Sequence, residues 1–281
     1  MLGNCLNLAS QVAIFKGPRS LEIAKKAIKA IHIQDRISRK PVLIKVNFIT
    51  TKTWETGATT DPIIVEALIQ EILKINKEII IVESDATLTQ ADNAAKATGI
   101  LDLCDKYGIQ FNNLSKIKDK ITINIPDYES INQITIPRIV LESHIISAAK
   151  MKTHMDTTVT LSLKNMFGIL PTKNKSQFHS KGISKVIVDI NRVLRPTAVV
   201  IDGFVAMEGS GPVSGIAVQM DVVLSGINPV STDATASRIM GFDPHKIYHI
   251  RRCYEYGLGE IDSIEIIGEK INKIKKKFKS A

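Results

Sequence analysis

The stretch "AAKMKTHMDTTVTLSLKNMFGILP", residues 148–171, sets three lysines and a histidine among threonines with Asp156 as their single acid. A solvated helix face mixes both signs, and a core segment carries neither. If residues 150–154 are extended, Lys150, Lys152 and His154 share a face, because side chains alternate with period two. A helix is expected from about Asp156 to Phe167, with Gly168 as a left-handed cap. On it Thr157, Thr160 and Lys164 would form one polar stripe, three or four residues apart. The helix start would add unpaired N–H groups and partial positive charge. Together these residues predict a socket for a phosphate or carboxylate.

Other polar residues fall where ligands gather in open α/β sheets, beyond the carboxyl ends of the strands. They are Lys45 and Asn47, then Glu83, Ser84 and Asp85, and Asp202 with Gly203. Asp85 and Asp202 are candidate ligands for a divalent ion such as Mg²⁺, which commonly takes one or two protein carboxylates and substrate oxygens. Asp202 reads equally as a turn brace, and Asp233 as a charge capping the start of its own helix. Clustered ammonium groups depress one another's pKa. Lys152 or Lys164 therefore qualifies as a general base, with His154 or His179 as the acid. His179 follows a polar loop long enough to be a lid. His245 and His249 are four apart on an expected helix, with no acid pattern to make them a metal site. The glycine-rich turn "EGSGPVSG", residues 208–215, lets backbone approach a ligand at Gly211 or serves as a tight turn, and matches no nucleotide fingerprint.

The elements that must position these residues follow from apolar patterning. "PVLIKVNFI" (41–49) and "EIIIVES" (78–84) are continuous apolar runs suited to a sheet covered on both faces. Between them residues 61–75 carry apolar residues at helical spacing, with Asp61 as cap and Pro62 at the first helical position. A helix broken near Gly99, short strands at "IQFNNL" and "ITINI", and a buried strand at "HIISAA" follow. Further helices are expected over 181–194 and in "STDATASRIMG" and "DPHKIYHIRRCYEYG", with strands at 197–207, "VQMDVVLSGI" and "SIEIIG". The expected fold is α/β: a mixed, mostly parallel sheet of roughly eight strands flanked by helices.

With 281 residues the chain is long enough for one large α/β domain or two packed lobes over residues 11–268, and 44% hydrophobic residues supply a core. No stretch approaches the ~20 apolar residues of a membrane span, and the first residues make a poor signal peptide. A cytoplasmic protein is expected. The net charge of +9 is concentrated at the end: residues 269–281 form a basic tail with six lysines, and without those lysines 31 basic residues face 28 acidic ones. Ile271, Ile274 and Phe278 predict a docked terminal helix whose lysines face water, or a strip that touches an acidic surface. With 5% aromatic residues and no recognition motif, nucleic acid is not an expected partner. Cys5, Cys104 and Cys253 form no C-x-x-C pair, so no intrinsic iron–sulfur cluster is predicted.

Taken in order, "VLIKVNF", "GATTDPIIVEALI", "AAKMKTH", "LSLKNMFGILP", "VVIDGFVAMEGSGP", "INPVSTDATASRIMGFDP" and "YGLGEID" resemble the domain-of-unknown-function 362 family, from about residue 11 to residue 268. The resemblance implies one family domain with Lys45, Asn47, Lys152, His154, Lys164, Asn165, His179, Asp202, Gly211 and Asp233 as motif positions. Val46 stands where the family often has proline, and the ferredoxin-like cysteine cluster of many members is missing. The fold is also distantly similar to nickel-dependent lactate racemase, without its metal or cofactor motifs. Two functions compete. One is an enzyme for a small phosphate- or carboxylate-bearing metabolite, bound by Lys45, Asn47, Lys150, Thr157, Asn165 and Gly211 and worked on by Lys152, Lys164, His154 and His179. The other is a non-catalytic accessory or electron-transfer partner of an iron–sulfur system, docking a separate ferredoxin.

Overall fold

The computed structural model describes residues 10–281. Its strands are β1 (Gln11–Lys16), β2 (Val42–Lys45), β3 (Ile79–Glu83), β4 (Gln110–Asn113), β5 (Lys120–Asn124), β6 (Gln133–Pro137), β7 (His144–His154), β8 (Thr158–Val159), β9 (Ala198–Glu208), β10 (Ile216–Gly226) and β11 (Glu265–Gly268). The main sheet runs β11-β1-β10-β9-β7-β2-β3-β4, with β8 paired to the end of β7, while β5 and β6 form a separate hairpin. Along that path only β10 opposes its neighbours; the other seven strands share one direction. The mixed, mostly parallel α/β sheet expected from the apolar runs is therefore present.

Alternation along the strands divides the core in two. Val12, Ile14, Leu43 and Val82 belong to one cluster, and Ala13, Val42, Ile44, Ile79 and Ile81 to the other, so the clusters lie on opposite faces. Helices Leu21–Ala30, Pro62–Ile72, Ala91–Ala97 and Ile100–Tyr107 cover the second face. Helices Leu161–Asn165, Ile183–Val193, Pro229–Ile239 and Tyr248–Glu255 cover the first. Burial on both faces explains why the parallel strands read as unbroken apolar runs.

Local signals placed several boundaries. Asp61 caps Pro62–Ile72 by accepting from the Ile63 N–H at 2.9 Å, and Pro62 opens that helix. Gly99, at φ +76, separates the two helices on either side of it. Others moved. The helix expected from Asp156 to Phe167 is only Leu161–Asn165, followed by a tight turn over Met166–Ile169, because Thr158–Val159 pairs with β7 instead. Gly168 is not a left-handed cap: a Cβ there would sit 2.6 Å from Lys45 Nζ and 2.9 Å from Glu83 Oε1. His245 lies on a short 3-10 turn, Pro244–Lys246, rather than on one helix with His249. The basic tail is helical only over Ile271–Ile274, then docks in extended form, with Lys276 and Phe278 N–H donating to the Ile239 and Met240 carbonyls and Phe278 buried. Among the described residues no helix is long and apolar enough to cross a membrane.

Candidate functional site

β2, β3 and β7 are adjacent and parallel, so their carboxyl ends open together. Lys45, Glu83 and the pair Lys152 and His154 end those three strands and line one cavity of about 210 Å³. The helix Leu161–Asn165 contributes Lys164 and Asn165, and the short helix Ser176–Ser180 contributes His179, with Lys175 just before its start. Residues more than a hundred positions apart thus meet at the strand ends, as sheets of this kind arrange.

Hydrogen-bond accounting sorts the cations. The Lys45 ammonium has three protons; Glu83 Oε1 at 2.7 Å, the Val46 carbonyl at 2.6 Å and Asn165 Oδ1 at 3.2 Å take them. Glu83 also accepts the N–H groups of Phe48 and Ser84, so this buried pair is fully satisfied. Lys152 is buried as deeply, yet Nζ donates only to the Ala58 carbonyl at 2.5 Å. Burial, then the neighbouring Lys164 and Lys150 charges, hold its pKa well below the ordinary lysine range. Lys164 Nζ has no hydrogen-bond acceptor among the described residues and lies 5.9 Å from the Phe167 ring centroid. Lys175 Nζ, 5.7 Å from the same centroid, donates to Ser84 Oγ at 2.6 Å. Burial and, for Lys164, the adjacent Lys175 lower both amines to about 8.

The pocket also has a neutral donor and two idle acceptors. His154 Nδ1 accepts the Asp156 N–H at 3.1 Å, which leaves the ring proton on Nε2; burial and the nearby lysines keep the imidazole from charging. His179, at the exposed rim, sits 3.1 Å from Asp156 Oδ2 through Nδ1. Asn47 Nδ2 donates to Asn165 Oδ1 at 3.0 Å, while Asn165 Nδ2 donates to the Lys45 carbonyl and Ser147 Oγ. Asn47 Oδ1 and Thr160 Oγ1 are buried pocket atoms without a hydrogen-bond partner.

Several expected residues lie elsewhere. Lys150 is sealed against Asp202 at 2.6 Å, and Asp202 also accepts the N–H groups of Asp61 and Phe204. The pair is a strut beneath the site. Asp85 accepts from the Ala91 N–H and Asn113 Nδ2, bracing the helix Ala91–Ala97. With both carboxylates committed away from the cavity, and no group of three His, Cys, Asp or Glu placed to hold a metal among the described residues, the residues present do not fit a divalent ion. Thr157 bonds back to the Val159 carbonyl and does not line the cavity. Gly211 packs where a Cβ would lie 2.1 Å from the Thr153 carbonyl oxygen, so it shapes the rim that Pro212 reaches.

The helix start expected to receive an anion is already occupied. Asp233, from the helix Pro229–Ile239, accepts the Ser162 and Leu163 N–H groups at 2.8 and 2.7 Å. Burial pushes its carboxyl up, to about 8, against the pull of those two donors. It therefore caps a neighbouring helix, and Asn228 caps its own. Glu83, one of the polar strand-end residues of the sequence, pairs with Lys45, and Lys175 completes the site with the polar lid-like loop as its one sequence signal. His249 is buried with both ring nitrogens unpartnered and does not line the cavity. Cys5 lies outside the described residues, and Cys104 and Cys253 are buried free thiols, each pushed up by burial.

The chain is similar to known proteins in sequence and in fold. The thylakoid-associated protein sll1697 of Synechocystis sp. is 24% identical over 213 residues, covering 73% of this chain and 64% of the relative. The lactate racemase apoprotein from Thermoanaerobacterium thermosaccharolyticum superposes with a TM-score of 0.53 at 12% identity, over 85% of this chain and 59% of that one. The chain thus spans somewhat less than two thirds of either protein, and the second likeness is one of fold. The sequence profile of the domain of unknown function DUF362 matches residues 42–238, from β2 to the helix that carries Asp233. That span is well over half of the polypeptide and contains every lysine of the cavity, so the chain belongs to the DUF362 family.

Proposed function

We propose that the protein is an enzyme acting on a small metabolite that bears a carboxylate or phosphate, held at the carboxyl ends of β2, β3 and β7. The observation that carries this reading is the convergence of Lys152, Lys164 and Lys175 on one cavity with no carboxylate within ion-pair distance of any of them. Lys164 and Lys175 carry charge beside the neutral Lys152 without a counter-ion, and an anionic ligand would supply it. Lys164 and Lys175 bind the anionic group, Asn47 Oδ1 and Thr160 Oγ1 accept from the ligand's hydroxyl or water, and His154 Nε2 donates. Lys152, held neutral, presents its electron pair to the bound molecule. No metal takes part in this reading.

Thermal-shift measurements with inorganic phosphate and short carboxylic acids, with and without Mg²⁺, test it. A binding anion at a hundred times its Kd adds about 2.7 kcal/mol to apparent stability. Lys164→Ala is expected to keep the fold and weaken anion binding by about 10–100-fold, the loss of one charge-assisted hydrogen bond. Unchanged affinity in that variant, or no anion that shifts the melting temperature, rejects the reading.

A further inference from the structure

Three lysines of the described chain have fully buried side chains: Lys45, Lys150 and Lys152. The first two are matched by carboxylates, Glu83 at 2.7 Å and Asp202 at 2.6 Å. Lys152 has a lone backbone carbonyl, and its neighbours Lys164, Lys150 and Lys45 carry its own sign. An ammonium in that position would be an uncompensated buried charge, so the nitrogen rests as an amine with a free electron pair. An amine desolvated beside other cationic groups, and lining a cavity a ligand can enter, is the arrangement that activates lysine toward carbonyl carbon. The cavity, about 210 Å³, has room for a few carbons beside the anionic group.

Building on the anion-binding reading above, we infer that Lys152 is an imine-forming nucleophile and that the substrates are small 2-oxo acids. Their carboxylate meets Lys164 and Lys175, which places the adjoining carbonyl within the cavity that Lys152 lines. Nζ forms a bond to C2 while the carbonyl π pair moves to oxygen. That oxygen takes a proton, and the nitrogen gives one up, leaving a neutral carbinolamine stabilised by the His154 Nε2–H. A proton from the Lys164 ammonium then lets the C–O bond break, and water departs as the nitrogen pair closes the iminium. The iminium draws electrons from the substrate and so acidifies the C–H bonds at the neighbouring C3.

The test is reductive trapping of the full chain with pyruvate or glyoxylate and sodium borohydride, followed by peptide mass spectrometry. The expected product is a single adduct on the Lys152 peptide, heavier by the mass of the acid less one oxygen atom, and absent from Lys152→Arg. Lactate and glycolate, which lack the carbonyl, should shift the melting temperature yet leave no adduct. An adduct spread over exposed lysines, or centred on Lys164, overturns the inference, and mapping it on the unaltered chain does not depend on a variant folding. Binding without trapping sinks the imine and spares the anion site; absence of any binding sinks both.

Discussion

Gly168 bears no side chain because the Lys45–Glu83 pair occupies the space where one would go. The Lys45 head cannot step aside cheaply, since Glu83, Val46 and Asn165 pin all its protons. Gly168→Ala should therefore cost about 1–3 kcal/mol through overpacking, read by denaturant melts, although its backbone angles suit alanine. Titration is a second expectation at this scale. Lys164 and Lys175, lowered to about 8, must be protonated to hold an anion. Anion affinity measured by calorimetry should be level below pH 7 and fall as pH rises through 8. Their contribution to the ligand-free fold has the opposite sign. Between about 8 and the ordinary lysine value near 10.4 the unfolded chain holds more protons, so the stability from these groups rises with pH across that window. A binding optimum above pH 9 would contradict the assignment of both residues.

Among the elements, the helix Leu161–Asn165 is five residues long and depends on its neighbours for its place. Asp233 fastens its start from another helix, which fixes where Lys164 and Asn165 point. Above pH 8, where Asp233 is ionised, Asp233→Asn offers the two N–H donors one acceptor oxygen in place of two, and should lower stability by about 1–3 kcal/mol in urea melts while weakening anion binding indirectly. This dependence also explains what the sequence could and could not reveal. The helix Pro62–Ile72 is legible because its cap, proline and apolar spacing lie within a few residues of one another. The Lys152–His154 pair is legible because period-two alternation is local. Asp233 is not, since its partners lie some 70 residues away and its own neighbourhood resembles an ordinary helix start. Lys175 is hidden for a similar reason: a polar loop contains nothing local to say which lysine turns inward to Ser84. Lys150 misled because it shares the sequence pattern of Lys152, and only the fold shows that Asp202 takes it.

At the scale of the whole molecule, the site and the sheet are built from the same strands. Lys150 and Asp202 join β7 to β9 below the cavity, fully buried, and removing one partner of such a pair strands the other charge. Lys150→Met should cost about 3–5 kcal/mol in denaturant melts yet leave anion affinity per folded molecule unchanged. A large loss of affinity with normal stability would instead return Lys150 to the site. β7 shows the wider consequence of this economy. Its early residues fill the core and its last ones, Lys152 and His154, furnish the cavity, along eleven continuous positions. A slip of one residue would turn each of its side chains to the opposite covered face, unseating both halves of the core and drawing Lys152 and His154 out of the cavity at a stroke. A group at the rim can be exchanged singly, but the register of this strand stands or falls as a whole, so the cavity and the fold are written in the same line of text.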